Sequence, residues 1–229
     1  MSGWERLDVS PVPGSRCTLT LWRRDDEFSI RVDGLELMNS SIHGSEEALA
    51  RIGCRRVADR DEPRVLVGGL GMGFTLAAAL RHVGSGGRVT VAELSPAVIA
   101  WNRGPLARLA GRPLEDCRVT LFEGDVADLF DAESRDWNAI LLDVDNGPEG
   151  FTRIANDWLY GLDGLAAAFS SLRPHGVLAI WSVNRDRAFT RRLAATGFGV
   201  ESLRVPAGPD DVGRHTIWIA TRRELVPRT

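Results

Sequence analysis

The chain has 229 residues, enough for one α/β domain with a full core and a modest extension. Its net charge of −3, with acids and arginines interspersed, supplies no basic stripe and so no electrostatic case for a nucleic-acid partner. All 28 basic residues are arginine, which excludes a lysine-dependent phosphate loop and Schiff-base chemistry. Cys17, Cys54 and Cys117 are scattered and form no Cys-x-x-Cys pair, so neither a disulfide framework nor a structural metal site is expected. No apolar run approaches the ~20 residues of a membrane span, and no secretory signal precedes a cleavage site; the expectation is a soluble, cytoplasmic protein with no membrane partner.

In chain order, residues 18–23 and 28–32 are β-prone runs around Asp25-Asp26-Glu27 and predict a hairpin. Asp33-Gly34 supplies a second turn before a short run at 35–38. A helix is expected from Ser45, as its serine cap, through about Val57, with early acids that suit a helix N-terminus. Residues 59–63 then break the chain, so 1–60 are expected to form an N-terminal β-hairpin and lid/helix extension, and 61–229 the main domain.

From Arg64 onward the pattern alternates. Strands are expected at 65–67, 88–92, 119–122, 139–142, 177–181, 200–205 and 216–220, with helices near 74–83, 96–109, 126–131, 155–172 and 186–196. Such alternation predicts an α/β fold: a seven-stranded, mostly parallel sheet with helices on both faces, of the Rossmann-like class I methyltransferase type. The last two strands would form an antiparallel pair. Residues 225–228 (LVPR) match a protease-cleavage tag as well as they match a natural tail, and carry no functional weight.

The run VLVGGLGMG at 65–73 ends in alternating glycines and opens the helix at 74. Such a turn needs positive φ and lets backbone approach a ligand closely; Glu93, closing the next strand, can accept hydrogen bonds from a ribose diol. In the dinucleotide fingerprint a third glycine would fall at Phe74, which disfavours NAD and FAD. The spacing Gly69-x-Gly71-x-Gly73 without phosphate-binding residues instead fits S-adenosylmethionine or a relative.

Open α/β sheets bind ligands at the carboxyl ends of their strands, so acids at that edge matter most. After the third strand, Asp125 of FEGDV can accept the adenine amino group and can also cap the following turn. Leu94 and Val126, which follow Glu93 and Asp125, belong to the same donor-binding set. After the fourth, Asp143 of ILLDVDNGP can orient an amine and accept its proton, since an ammonium has no lone pair with which to attack. Asp145 and Asn146 continue over that edge as substrate candidates. His43 and Glu46 could form a lid or cap the next helix, and Trp181 could wall the pocket. His82, His175 and His215 lack metal-ligand spacing and read as surface residues; no metal is expected. Trp158 and Tyr160 read as helix packing residues.

With these residues in place, the chain resembles the spermidine synthase (polyamine aminopropyltransferase) family over roughly residues 28 to 222. SIRVDGLELMNSSIHGSEEALA is similar to the family's N-terminal strand and substrate-covering segment, and VLVGGLGMGFTL to its nucleoside loop. VAELSPAVIAWNR resembles its ribose segment, LFEGDVADLF its adenine loop, and ILLDVDNGP its catalytic loop, with Asp143 at the proton-accepting aspartate. The resemblance implies aminopropyl transfer from decarboxylated S-adenosylmethionine to a diamine, with release of methylthioadenosine; the expected partner is a small-molecule amine, and a homodimer is an admissible assembly.

Two departures stand out. The family's glycine loop carries an aspartate that holds the aminopropyl amine, whereas Leu70, Gly71 and Met72 offer no carboxylate. The family's Tyr-His-Glu is also missing, with His43-Gly44-Ser45-Glu46 nearby. Methylation by ordinary S-adenosylmethionine is therefore the alternative, and a non-catalytic nucleoside-binding protein is a reading of a different class.

Overall fold

The computed structural model describes residues 3–130, 133–134, 136–144, 155–208 and 213–223, without the side chains of 155–157. The chain opens with a four-stranded antiparallel meander, β1 Glu5–Pro11, β2 Thr18–Arg24, β3 Glu27–Val32 and β4 Leu35–Asn39. The β2–β3 hairpin and the turn at 33–34 follow the expected pattern. Asp33 and Gly34 both take positive φ (48° and 85°), as a two-residue hairpin turn requires. Strand β1 was not expected, because its sequence ERLDVSP carries three charges and only two aliphatic residues; both of its faces are largely solvated.

Helix α1, Gly44–Arg55, leads from this sheet onto the large one. It packs so closely that a Cβ on Gly53 would lie 2.5 Å from Leu141 Cδ2. Ser45 is not its cap: His43 occupies that position without a side-chain bond, and Ser45 sits fully buried inside the first turn.

The large sheet is built from β5 Arg64–Gly68, β6 Arg88–Glu93, β7 Val119–Glu123, β8 Trp137–Leu142, β9 Leu172–Ser182, β10 Phe198–Pro206 and β11 Arg214–Arg222. Their order is β10-β11-β9-β8-β5-β6-β7, with β5 to β9 parallel and β11 antiparallel to both β9 and β10. Central strand β8 is buried along its whole length, as a strand covered on both faces must be. Successive residues of β5 serve different cores: Val65 and Val67 face the N-terminal sheet, α1 and the helices α2 Phe74–His82 and α3 Pro96–Arg103. Leu66 faces the opposite layer of α4 Ala155–Tyr160, α5 Leu162–Ser171 and α6 Arg187–Ala195.

Three boundaries moved for local reasons. Helix α3 stops at Arg103, because Gly104 precedes Pro105 and proline disfavours helix at the residue before it. The segment 126–131 shortens to a 3-10 turn, Val126–Leu129, capped by Asp125. The long helix expected over 155–172 is two helices broken at Gly161; they cross tightly enough that a Cβ on Gly164 would lie 2.3 Å from the Trp158 carbonyl oxygen. Trp158 is exposed rather than packed, whereas Tyr160 is buried.

Candidate active site

The parallel strands deliver their carboxyl ends to one edge, and the backbone joins them there. Gly69 N–H donates to the Ala92 carbonyl, Gly124 N–H to the Glu93 carbonyl and Asp143 N–H to the Gly68 carbonyl, each at 2.9 Å. Gly69 turns with φ +91°, and a Cβ on it would lie 2.4 Å from the Asp143 carbonyl oxygen, so both its conformation and its lack of a side chain are required. Asn102 of α3 donates to the Gly71 carbonyl at 2.8 Å and braces the loop from behind.

Beside this edge lies a cavity of ≈ 160 Å³. Its base is formed by Gly69 and Gly71, and its sides by Glu93-Leu94-Ser95, Gly124-Asp125-Val126 and Asp143-Val144. Val12, Leu19, Ile30, Val32, Leu37 and Met38 of the N-terminal segment close it with apolar side chains. The Glu93 carboxylate accepts the Leu70 N–H at 3.0 Å and the Ser95 N–H at 2.8 Å. Each carboxylate oxygen has a second lone pair, so this anchoring leaves acceptor capacity for a vicinal diol. Burial raises the Glu93 pKa, and the backbone N–H donors oppose that rise. Asp125 lines the cavity while accepting the Ala127 N–H at 3.0 Å, so capping and lining fall to one side chain.

Asp143 also borders a second, much smaller cavity of ≈ 10 Å³, about the room of one water molecule. Glu46, Thr75, Phe74, Asn39 and Met38 share it. Thr75 Oγ1 donates to Asp143 Oδ2 at 2.5 Å. Burial pushes the Asp143 carboxyl up to about 6, against the Thr75 hydrogen bond. Burial, with the neighbouring Asp143 charge, pushes Glu46 up to about 7. Two carboxyl groups that share a desolvated space hold a proton near neutrality, because the second charge is disfavoured. Met38 lines both cavities, and its Sδ and Cε lie 3.1 and 3.0 Å from where a Cβ on Gly71 would project.

The expected site residues thus divide. Gly69, Gly71, Glu93, Leu94, Asp125, Val126 and Asp143 meet at the larger cavity, and Glu46 joins Asp143 at the smaller. Gly73 lines neither; a side chain there would press on Asn102, Pro113 and Ala110, so its place is in helix packing. His43 also lines neither, stacking instead on Phe74 at 4.0 Å, with Nδ1 3.7 Å from Glu47 Oε1. Trp181 is turned into the core beside His215, with ring centroids 4.8 Å apart. Asp145, Asn146 and residues 225–228 lie outside the described residues.

Several site residues were not anticipated. Thr75, Met38 and Asn102 carry no motif, and each acts through a neighbour distant in sequence. Tyr160 donates its hydroxyl to the Val144 carbonyl at 3.0 Å and steadies the chain after Asp143. His215, expected at the surface, is partly buried, its Nδ1 2.9 Å from Ser45 Oγ.

No protein-family model matches this sequence, and no curated protein matches it by sequence. Solved structures match it in fold. A spermidine synthase from Thermotoga maritima superposes with a TM-score of 0.75 at 16% identity, covering 97% of this chain and 74% of its own. A spermidine synthase in complex with the transition-state analogue AdoDATO gives 0.73 at 16% identity, with the same coverage of each chain. The chain has the spermidine synthase fold. The likeness spans the N-terminal sheet as well as the Rossmann-like core, since nearly the whole chain is covered. Among the described residues no helix is long and apolar enough to cross a membrane, and no cluster of three or more metal-ligating side chains occurs.

Proposed function

We propose that the protein is an aminopropyltransferase-like enzyme that transfers a group from decarboxylated S-adenosylmethionine to a small amine. The observation that carries this reading is the sign of the site's charges. Among the described residues, Glu93, Asp125, Asp143 and Glu46 are the charged residues lining the two cavities, and no arginine or histidine lines either. A decarboxylated donor brings a sulfonium and an ammonium, and an amine acceptor is cationic too; both suit an acidic, poorly solvated site. The carboxylate of ordinary S-adenosylmethionine would meet buried acids without a counter-charge.

In this reading Glu93 and the glycine turn hold the adenosine, with Asp125 near the base, and Asp143 stands where the transferable group and the acceptor meet. Glu46 supplies the carboxylate that the glycine loop lacks at Leu70 to Met72. Asp143 takes a proton from the acceptor ammonium so that a neutral nitrogen attacks the carbon bonded to sulfur. A carboxyl with pKa of about 6 serves that role better than an ordinary aspartate, because it is a stronger base yet still ionised at neutral pH. The rest of the acceleration comes from in-line placement of nitrogen, carbon and sulfur.

Methyl transfer is the second reading, favoured by the absence of a loop carboxylate. The test is product identity. Purified protein incubated with each donor and a panel of diamines and monoamines should form methylthioadenosine from the decarboxylated donor; adenosylhomocysteine from the ordinary donor would replace the proposal with methylation. Assembly as a homodimer is part of the same proposal and is checked by light scattering.

A further inference from the structure

Transfer to an amine leaves a proton to dispose of at the Asp143 carboxylate. The acceptor arrives as R–NH3⁺ and gives one proton to the Asp143 carboxylate. The free amine then forms a C–N bond as the C–S bond breaks, the electron pair going to sulfur. The products are a secondary ammonium, a neutral thioether and Asp143 in its acid form. One proton per turnover must therefore reach water.

A set of hydrogen-bonding groups leads away from that point, its first step across the small cavity. Asp143 and Glu46 face the same small cavity. The Glu46 carboxyl is 2.7 Å from the Ser45 hydroxyl, which is fully buried. That hydroxyl is 2.9 Å from Nδ1 of His215 on β11, a residue partly open to solvent. A hydroxyl that donates in one direction and accepts from the other is the minimal proton-passing element, and a neutral imidazole can take a proton on one nitrogen and release it from the other.

We propose that Glu46, Ser45 and His215 form the path by which the proton taken up by Asp143 leaves the site, a deepening that rests on the amine-transfer reading. The path has two settings. With Glu46 ionised, Ser45 donates to it and His215 donates from Nδ1–H to Ser45. With Glu46 protonated, Glu46 donates to Ser45, Ser45 donates to Nδ1, and His215 carries its proton on Nε2. His215 works as a neutral relay, because burial and the Arg204 charge on β10 lower its pKa. The charges bearing on Glu46 are Asp143 and, along α1, Glu47, itself paired with Arg81 at 3.1 Å.

Nitrogen-15 NMR of the His215 ring in the intact protein tests the path without reference to turnover. The wild type should switch from the Nε2–H to the Nδ1–H tautomer as pH rises through the Glu46 titration near about 7. Ser45→Ala and Glu46→Gln should each abolish the switch while the protein stays folded. A switch that persists in Ser45→Ala, or a wild-type tautomer that never changes, overturns the path. In turnover, Ser45→Ala should lower kcat by about tenfold, less than loss of a direct acid–base group, with both KM values unchanged and normal rates regained at high concentrations of small buffer. Methylthioadenosine formed by a protein with no switch contradicts the path and leaves the transfer reading standing. A switch in a protein that forms no product contradicts the transfer reading and upholds the hydrogen-bonded path.

Discussion

The donor cavity and the acid pocket share Asp143 but are built by different means. The donor cavity has main chain at its base, through glycine turns and the ends of four adjacent parallel strands, and apolar side chains of the N-terminal segment over it. The acid pocket is shaped by side chains from β4, α1, α2 and the end of β8, and its cost is electrostatic: two carboxyl groups held away from water. In the proposed reading, Glu46 supplies in that pocket the carboxylate that the glycine loop lacks.

Substitutions at Asp143 strike both regions and should have the largest effect. Asp143→Asn is expected to lower turnover by roughly 10² to 10⁴-fold while donor affinity holds, as loss of a general base should. Steady-state kinetics with parallel calorimetry check this, and lost donor binding would mean that Asp143 is structural.

Glu46→Gln separates the regions. The folded-state pKa of Glu46 is raised to about 7 from an ordinary 4.5, so the protein is most favoured with Glu46 protonated and loses stability as pH rises from 4.5 through 7. Glutamine removes that loss, which is roughly 3 kcal/mol. Thermal melts at pH 8 should then rise by roughly 5 to 10 °C in the variant, with little change at pH 4.5. An equal shift at both values would contradict the charge account.

Glu93→Gln probes the donor side alone. Replacing a charged acceptor of the ribose diol should weaken donor binding by roughly 10 to 100-fold, measured by calorimetry, and leave the acid limb of the rate profile in place.

Thr75→Val makes the smallest and most local change. Its hydroxyl holds the Asp143 pKa down against burial, so its loss should move the acid limb of activity, near about 6, upward by about one pH unit. A limb that stays in place would assign it to another group.

The succession of strands and helices in the large sheet was legible because periodicity and glycine punctuation act locally: β5, the glycine turn and α2 are contiguous, and Glu93 closes the next strand. Asp143 was legible because it ends an apolar run. The acid pocket was not, since Glu46, Thr75 and Asp143 meet only after α1, α2 and β8 pack, and nothing in their spacing encodes that meeting. Strand β1 was missed because both its faces are largely wet, which erases the alternation a half-buried strand shows. Gly73 and Trp181 sit in suggestive places along the chain, yet helix packing and the core claim them.

The central claim is that an acidic site selects a cationic donor, and calorimetry of the wild-type protein with the two adenosyl donors tests it directly. Decarboxylated S-adenosylmethionine should bind at least about tenfold more tightly than S-adenosylmethionine, the effect of about 1.4 kcal/mol from one uncompensated carboxylate. Equal or tighter binding of S-adenosylmethionine would contradict it.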